Sequence, residues 1–488
     1  MSPQPTLIDG REPSAAGIPL CCDLDGTLLR SDMFYESLVR VLRSAPWVAL
    51  CLPWWLLRGK AYLNEQLATR CSLDPALLPY DQPLVEWLRE QRRSGRRLVL
   101  ATATHQRLVA GIAGHLGLFD EIIATDGEQN VRGRRKASRL EARFGPHGFD
   151  YAGDSREDLP VWQASRAAVV AGAAPSLLSR VRRMTTVEKV FPRPAAGPGA
   201  WLRALRLHQW SKNLLVFLSI LTSHQFAGPG LVATAWTFVA FCLCASGIYL
   251  LNDLVDLDHD RQHELKRNRA LASGAIPIRS ALLVAPLLLA AGAAVAASVS
   301  GVILGVLVAY AVASTAYSLY LKSVLLVDVF TLSLLYTLRV IGGHISSGVP
   351  FSPWFSTFMV FFFLSLALCK RVSELHPLVE NHAQSAAPGR AYLPGDIWLL
   401  KCLGVSSGFL ASVVLGLYVD SPRVVGLYSR PYLLWCLVPL LVYWISRVWM
   451  VAHRGAMSED PVWFALKDRQ SHLLGLAAAV ILLLATIR

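Results

Sequence analysis

Polar and apolar positions divide the chain in two. Residues 1–195 carry charged side chains at the density of a soluble domain, whereas the remainder holds long runs without Asp, Glu, Lys or Arg. The stretches 213–252 and 280–321 are two such runs. Each is long enough for two helices of about 20 residues, the length that crosses a hydrocarbon core of about 30 Å. Turn signals split them, Ala-Gly-Pro-Gly at 227–230 and Ser-Val-Ser-Gly at 298–301. Further apolar runs at about 324–343, 354–371, 401–419, 431–447 and 471–487 bring the expectation to nine transmembrane helices. Ahead of them the pattern is different. Short apolar segments at 18–22 and 97–102 read as buried strands, each ending at polar residues.

Composition agrees with two solvents for one chain. Of 488 residues, 53% are hydrophobic and only 17% charged, against about a quarter charged in soluble domains. The net charge of +13 is not a nucleic-acid footprint, because no basic patch is interleaved with stacking aromatics; no nucleic-acid partner is expected. The excess sits beside the spans, on alternate loops. Arg261, Lys266, Arg267, Arg269, Arg279, Lys322, Lys370, Arg371, Arg390, Lys401, Arg447, Arg454, Lys467 and Arg469 fall on one side, and only Arg423 and Arg430 on the other. The positive-inside rule then places the acid-rich loops and the N-terminal head in the cytoplasm of an integral plasma-membrane protein, with the C-terminus outside. The start of the chain has no basic segment followed by an apolar core, so no signal peptide is expected. Nine cysteines occur without a CxxC pair, which reads as reduced structural thiols.

The chemistry concentrates at one loop and at the head. Asn252-Asp-Leu-Val-Asp-Leu-Asp-His-Asp260 follows directly on the second span. Asp253, Asp256 and Asp260 stand at i, i+3 and i+7, one face of a helix. Clustered carboxylates need a cation, and magnesium bridging a diphosphate supplies one. Lys266, Arg267 and Arg269 downstream suit leftover phosphate oxygens. This pattern resembles the UbiA superfamily of intramembrane prenyltransferases, and within it the decaprenyl-phosphate phosphoribosyltransferase branch. The resemblance covers roughly residues 200–488. It rests on NDLVDLDHDRQHELKRNRALASG at 252–274, His208-Gln-Trp-Ser-Lys-Asn213, Tyr317-Ser-Leu-Tyr-Leu-Lys322 with Asp328, Leu338-Arg-Val-Ile-Gly-Gly343 and Lys370-Arg-Val-Ser-Glu374. Glu264 and Ala270 stand where that branch has prolines. A second aspartate-rich motif is reduced to Asp328, as in the phosphoribosyl branch. The resemblance implies magnesium on Asp253, Asp256 and Asp260. It also implies substrate contacts at Lys212, Asn213, Asn252, Lys266, Arg267, Tyr317, Lys322, Asp328, Arg339 and Lys370. An arginine inside a span, such as Arg339, is expensive and faces a functional cavity, unless it only pairs with Asp328. The segment 459–469 reads as a substrate lid or a plain interfacial helix.

In the head, Asp23-Leu-Asp-Gly-Thr27 closes the first strand and Thr102 the second; Lys136 opens a helical stretch, and Gly153-Asp-Ser-Arg-Glu-Asp158 follows a third strand. A carboxylate at a strand end can attack phosphorus, and a second acid can protonate the leaving group. These motifs in this order resemble the haloacid dehalogenase (HAD) superfamily. That resemblance implies an α/β Rossmann-like domain over 1–185 with a small helical cap at about 32–91. Asp23 would be the nucleophile and Asp25 the acid/base. Thr102 and Lys136 would hold phosphate, and Asp23, Asp25, Asp154 and Asp158 would surround magnesium. The cap segment 47–57 is apolar but too short to span; it is either a membrane-dipping face or ordinary cap core. Residues 186–200 read as a linker, and 201–488 as the all-α membrane domain.

Together the two resemblances imply a bifunctional enzyme that uses magnesium in both domains. The membrane half would transfer 5-phosphoribosyl from phosphoribosyl pyrophosphate to a polyprenyl phosphate, and the head would remove the 5-phosphate. The alternatives are prenylation of an aromatic or other acceptor, with the head an independent phosphatase or a non-catalytic regulatory module. A homo-oligomer is left open.

Overall fold

The computed structural model describes residues 17–125, 132–193, 197–380, 390–457 and 460–487. The first sixteen residues, positions 194–196 of the expected linker and Glu459 of the expected lid lie outside them. The chain divides into two compact units, residues 1–205 with 249–284, and residues 206–248 with 285–488. The acid-rich loop therefore belongs to the same unit as the head.

The head is a six-stranded parallel sheet: β1 (Leu20–Cys22), β2 (Leu98–His105), β3 (Glu121–Thr125), β4 (Asp150–Gly153), β5 (Ala167–Ala171) and β6 (Thr186–Phe191). Their order is β3-β2-β1-β4-β5-β6. Helices cover both faces, so the central strands are apolar on both sides. Leu20, Cys22, Leu98 and Leu100 enter one core, and Cys21, Val99, Ala101 and Tyr151 the other. Helix α1 (Met33–Ser44) begins the cap, and helix α2 (Arg134–Phe144) precedes β4.

The expected linker at 186–200 starts too early. Residues 186–191 are the edge strand β6, paired with β5 from Thr186 to Phe191. Every proline and glycine that suggested a linker lies at 192 or beyond.

In the cap, the segment read as membrane-dipping or core is divided between the two. It forms a short 3-10 turn (Pro46–Leu50) and a six-residue helix (Leu52–Leu57). Val48 and Trp55 are buried, while Trp47, Leu50, Trp54, Leu56 and Leu57 are more than half exposed.

Among the described residues eight helices are long and apolar enough to cross a membrane. They include α3 (Pro229–Val255), α5 (Val327–Ser347) and α6 (Pro353–Glu380); between α3 and α5 the short helix α4 (Leu257–Gln262) carries the end of the acidic motif. The first of the nine expected spans has a different build. It is a 3-10 stretch (Leu207–Phe217) followed by one α-helical piece (Leu218–Ser223). This stretch fits closely on α5. A Cβ at Gly343 would collide with the Val216 carbonyl, so the glycine lets the two backbones touch. Helix α5 turns polar groups inward, with Asp328, Thr331, Ser333, Thr337, Arg339 and His344 all buried. Polar residues inside a bundle mark its working interior.

Candidate functional site

The sheet reverses its direction of growth between β1 and β4, and ligands of such sheets bind beyond the strand ends at that point. The residues after these two strands, Asp23 and Asp154, are the motif acids. Asp23, Asp154 and Asp158 each offer a carboxylate oxygen, all within 4.8 Å of one another. Gly26 makes the arrangement fit. It has φ of 73°, and a Cβ there would strike the Asp154 carboxylate.

Lys136 reaches in from the first turn of α2. Its Nζ lies 2.9 Å from Asp23 Oδ1 and donates to the Tyr151 hydroxyl at 2.9 Å. Tyr151 in turn donates to Asp158 at 2.8 Å. Asp158 also accepts from the Asp154 and Ser155 backbone N–H groups at 3.2 and 3.1 Å. Asp25 stands apart from the three-acid group. Its oxygens accept from the Met33 N–H at 2.7 Å and the Thr104 hydroxyl at 2.6 Å. Of the four acids expected around one ion, Asp25 lies outside the three-acid group, turned toward α1 and β2. Thr102 is fully buried and accepts from the Thr104 N–H at 3.1 Å.

Electrostatics tests whether a cation fits. Burial pushes Asp154 up to about 8, with the Asp158 and Asp23 charges adding to it. Burial likewise pushes Asp23 up to about 6 against the pull of Lys136. Asp25 rises to about 7 through burial and the Asp32 carboxylate. Three acids at this spacing need more positive charge than Lys136 supplies. A hard divalent ion on Asp23, Asp154 and Asp158 meets that need.

The loop acids are arranged differently. Asp253 ends α3, Asp256 lies at the start of α4, and Asp260 follows on α4. The backbone stays nearly helical through the break, with Asp256 N–H on the Asn252 carbonyl at 2.9 Å and Asp260 N–H on the Asp256 carbonyl at 2.8 Å. Asp253 and Asp260 therefore share a face, as the spacing predicts. Arg269 bridges them, 3.2 Å from Asp253 and 2.7 Å from Asp260. Among the described residues only the head acids form a three-ligand group. Two of the loop carboxylates nonetheless converge on one point, where a cation already sits, and their oxygens suit magnesium. Lys266 and Arg267 lie on an exposed 3-10 turn.

The second unit gathers most of the remaining candidates. Lys212 and Lys370 both contact Asp460, at 2.9 and 3.2 Å. Asp460 caps the short helix Pro461–Lys467, part of the expected lid. Arg339 does not pair with Asp328. Its Nε donates to Asn213 at 2.7 Å and its Nη2 to Tyr310 at 2.8 Å, and it lies over the Tyr310 and Tyr336 rings. Asp328 instead faces Arg371 at 3.4 Å and accepts from Tyr392. Arg390 donates to Tyr317 at 3.0 Å and to the Lys322 carbonyl at 3.4 Å.

Sequence reading missed Thr104, Tyr151, Arg193, Arg371 and Asp460. Thr104 was legible in principle, because it lies two residues beyond Thr102 on the same strand. Arg193 was hidden in the supposed linker; it donates to the Gly26 and Thr27 carbonyls and pairs with Asp81.

Comparison with known proteins agrees with both halves. Residues 214–467 match the UbiA prenyltransferase family, and residues 60–163 match haloacid dehalogenase-like hydrolases. The protein y4nM of Sinorhizobium fredii is 38% identical over 464 residues, 94% of this chain and 89% of that one. The nodulation protein NoeC of Azorhizobium caulinodans is 33% identical, over 58% of this chain and 93% of its own. A decaprenyl-phosphate phosphoribosyltransferase of Mycolicibacterium smegmatis is 28% identical, again over 58% of this chain and 93% of its own. The chain is an integral membrane protein with a HAD-like domain at its N-terminal end, and it belongs to the UbiA prenyltransferase family.

Proposed function

We propose that the membrane half transfers 5-phosphoribosyl from phosphoribosyl pyrophosphate to a polyprenyl phosphate, and that the head then removes the 5-phosphate. One observation carries the reading. The head assembles Asp23, Asp154, Asp158 and Lys136 at one strand-end site, in a chain whose other half is similar to a named phosphoribosyltransferase. The product of such a transfer ends in a phosphate monoester, the bond a HAD-type site opens.

In the first step an oxygen of the lipid phosphate attacks the anomeric carbon, and the bond from that carbon to pyrophosphate breaks. Asp253, Asp256 and Asp260 would hold a magnesium ion, which would supply positive charge for the departing pyrophosphate. Arg269, held between two of these acids, is placed to hand its charge to the same oxygens. Lys212, Lys370 and Arg339 are the candidates for further phosphate contacts.

In the second step Asp23 attacks phosphorus and forms an aspartyl-phosphate while the bond to the ribose oxygen breaks. Asp25 gives that oxygen its proton. A carboxyl shifted toward neutrality suits this role and the later removal of a proton from water. The water releases inorganic phosphate and restores Asp23. Lys136 neutralises phosphate oxygens throughout, and Asp23, Asp154 and Asp158 would hold a magnesium ion that would supply further positive charge there. The exposed apolar face of the cap, Trp47, Leu50, Trp54 and Leu57, lets the head approach a lipid-linked phosphate at the bilayer surface. The charge bias of the loops supports both sites facing the cytoplasm, with the C-terminus outside.

Purified protein supplied with magnesium, a polyprenyl phosphate and phosphoribosyl pyrophosphate should yield a ribose-bearing lipid, detected by mass. Absence of any ribose lipid overturns the transfer. A ribose lipid that keeps its 5-phosphate overturns only the second step. Aromatic prenylation is the weaker reading, because Asp328 is engaged by Arg371 and Tyr392 and has no second acid of a DxxxD motif at its side.

A further inference from the structure

The first unit contains a buried ion cluster that neither site uses. Glu36 on α1 is fully buried. It pairs with Arg40 on the next turn and with Arg261 of α4 at 2.7 Å. Arg40 also pairs with Asp258 of α4 at 2.6 Å. Arg40 and Arg261 are 7% and 6% exposed at the side chain, so the cluster sits in a medium where unpaired charge is costly.

The contacts continue into the acidic loop. Arg261 Nε donates to the Ala272 carbonyl at 3.0 Å. Residues 269–276 form a closed turn, with the Ser273 N–H on the Arg269 carbonyl at 3.0 Å and the Ile276 N–H on the Ala270 carbonyl at 2.9 Å. Leu271, Ala272 and Ile276 are buried beneath it. A Cβ at Gly274 would strike Arg30, close to the head's own motif. Arg269 leaves this turn to bridge Asp253 and Asp260. An unbroken path therefore runs from Glu36 through Arg261 and the Ala272 carbonyl to Arg269 and the loop acids. At its other end, α1 starts with the Met33 N–H on Asp25.

We infer that Glu36 and Arg40, residues of the phosphatase-like head, are positioning residues for the Asp253–Asp260 loop of the transferase. The inference rests on the proposed role of that loop in binding magnesium and diphosphate. Helix α1 thus serves two sites. Its first N–H orients Asp25, and its second and third turns fix the helix that carries Asp260.

The test uses the full chain with Glu36→Gln, Arg40→Met and the charge-conserving Arg261→Lys. Half-saturating magnesium and KM for phosphoribosyl pyrophosphate are measured for transfer. Hydrolysis of p-nitrophenyl phosphate by the same preparations reports whether the head is folded. Glu36→Gln should raise both half-saturating values by about tenfold, with p-nitrophenyl phosphate hydrolysis changed by less than about twofold. Arg261→Lys should lie between it and the intact chain. A loss of folded protein alone lowers the maximal rate and leaves both half-saturating values in place, and that result overturns the inference. If Glu36→Gln does not fold, Arg40→Met and Arg261→Lys decide the matter by the same criterion. Hydrogen exchange of residues 257–276 gives a readout independent of the reaction. Exchange should quicken in Arg40→Met, and unchanged protection overturns the inference even if the intact chain transfers some other group.

Discussion

The two aspartate clusters of this protein have similar composition and opposite construction. In the head, strand ends bring Asp23, Asp154 and Asp158 within 4.8 Å, with Lys136 on Asp23 at 2.9 Å. In the loop, helical spacing lines up Asp253 and Asp260, and Arg269 fills the gap between them. The head's acids are thus pressed together, with burial pushing Asp154 up to about 8, and a divalent ion there would relieve their repulsion. The loop's acids already have a guanidinium counter-ion, so the metal-bound diphosphate proposed there would have to share Arg269 or displace it. Strand ends make a site preorganised for its ion. A helix face makes one whose charge is offset by an arginine from the following turn.

Four experiments break or sharpen that comparison. The largest effect is expected from Asp23→Asn, which removes the proposed nucleophile of the head. Phosphate release should fall by about 10⁴-fold or more, while transfer continues and the ribose lipid accumulates with its 5-phosphate. Equal loss of both activities would show that the clusters are not separate. Next comes Asp260→Asn, expected to slow transfer by about 10²–10³-fold and to leave p-nitrophenyl phosphate hydrolysis alone.

The third is a pH experiment. Burial raises Glu36, but Arg261 and then Arg40 outweigh it and hold the carboxyl down at about 2. Its contribution is therefore complete above the ordinary glutamate range and is lost as pH falls through the folded value. The stability margin of the intact chain over Glu36→Gln should be about 3 kcal/mol near neutrality. It should close between about pH 4.5 and about pH 2, followed by thermal unfolding in detergent. A margin constant over that window would mean that the carboxylate charge is not what holds the cluster. The smallest effect concerns the cap. Trp54→Glu with Leu57→Glu should slow dephosphorylation of the lipid-linked substrate by about fivefold to tenfold and leave a soluble phosphate ester unaffected. Equal rates on the lipid would remove the cap face from the reading.

Much of this was legible in the sequence, for physical reasons that differ between the halves. Charge-free runs are long and unambiguous, so the bundle was visible, although the 3-10 build of Leu207–Phe217 was not. Hydropathy counts residues and is blind to the close approach at Gly343. In the head, Asp23, Asp25, Lys136 and Asp154 were found because the motifs are short and local. Tyr151 was not, since its hydroxyl meets Lys136 and Asp158 only once β4 and α2 are packed. Strand β6 was lost for another reason. Thr186-Val-Glu-Lys-Val-Phe191 is a polar edge strand that gains its identity from pairing with β5. Arg339 was singled out correctly as a buried arginine, but its partners Asn213 and Tyr310 stand 126 and 29 residues away, and no local pattern announces them.

The pairing of Glu36 with Arg261, 225 residues further along, has a consequence for biogenesis. Chains emerge N-terminus first at about 5–20 residues per second, so some tens of seconds separate the two residues at the ribosome. The sheet can close as soon as β6 has been made. Glu36 must wait, with Arg40 alone, until α3 has been inserted and α4 follows it. The head is thus completed by a segment that exists only after membrane insertion has begun. A chain cut after Arg193 would keep every residue of the phosphatase-like site and still lack the last partner of its buried acid.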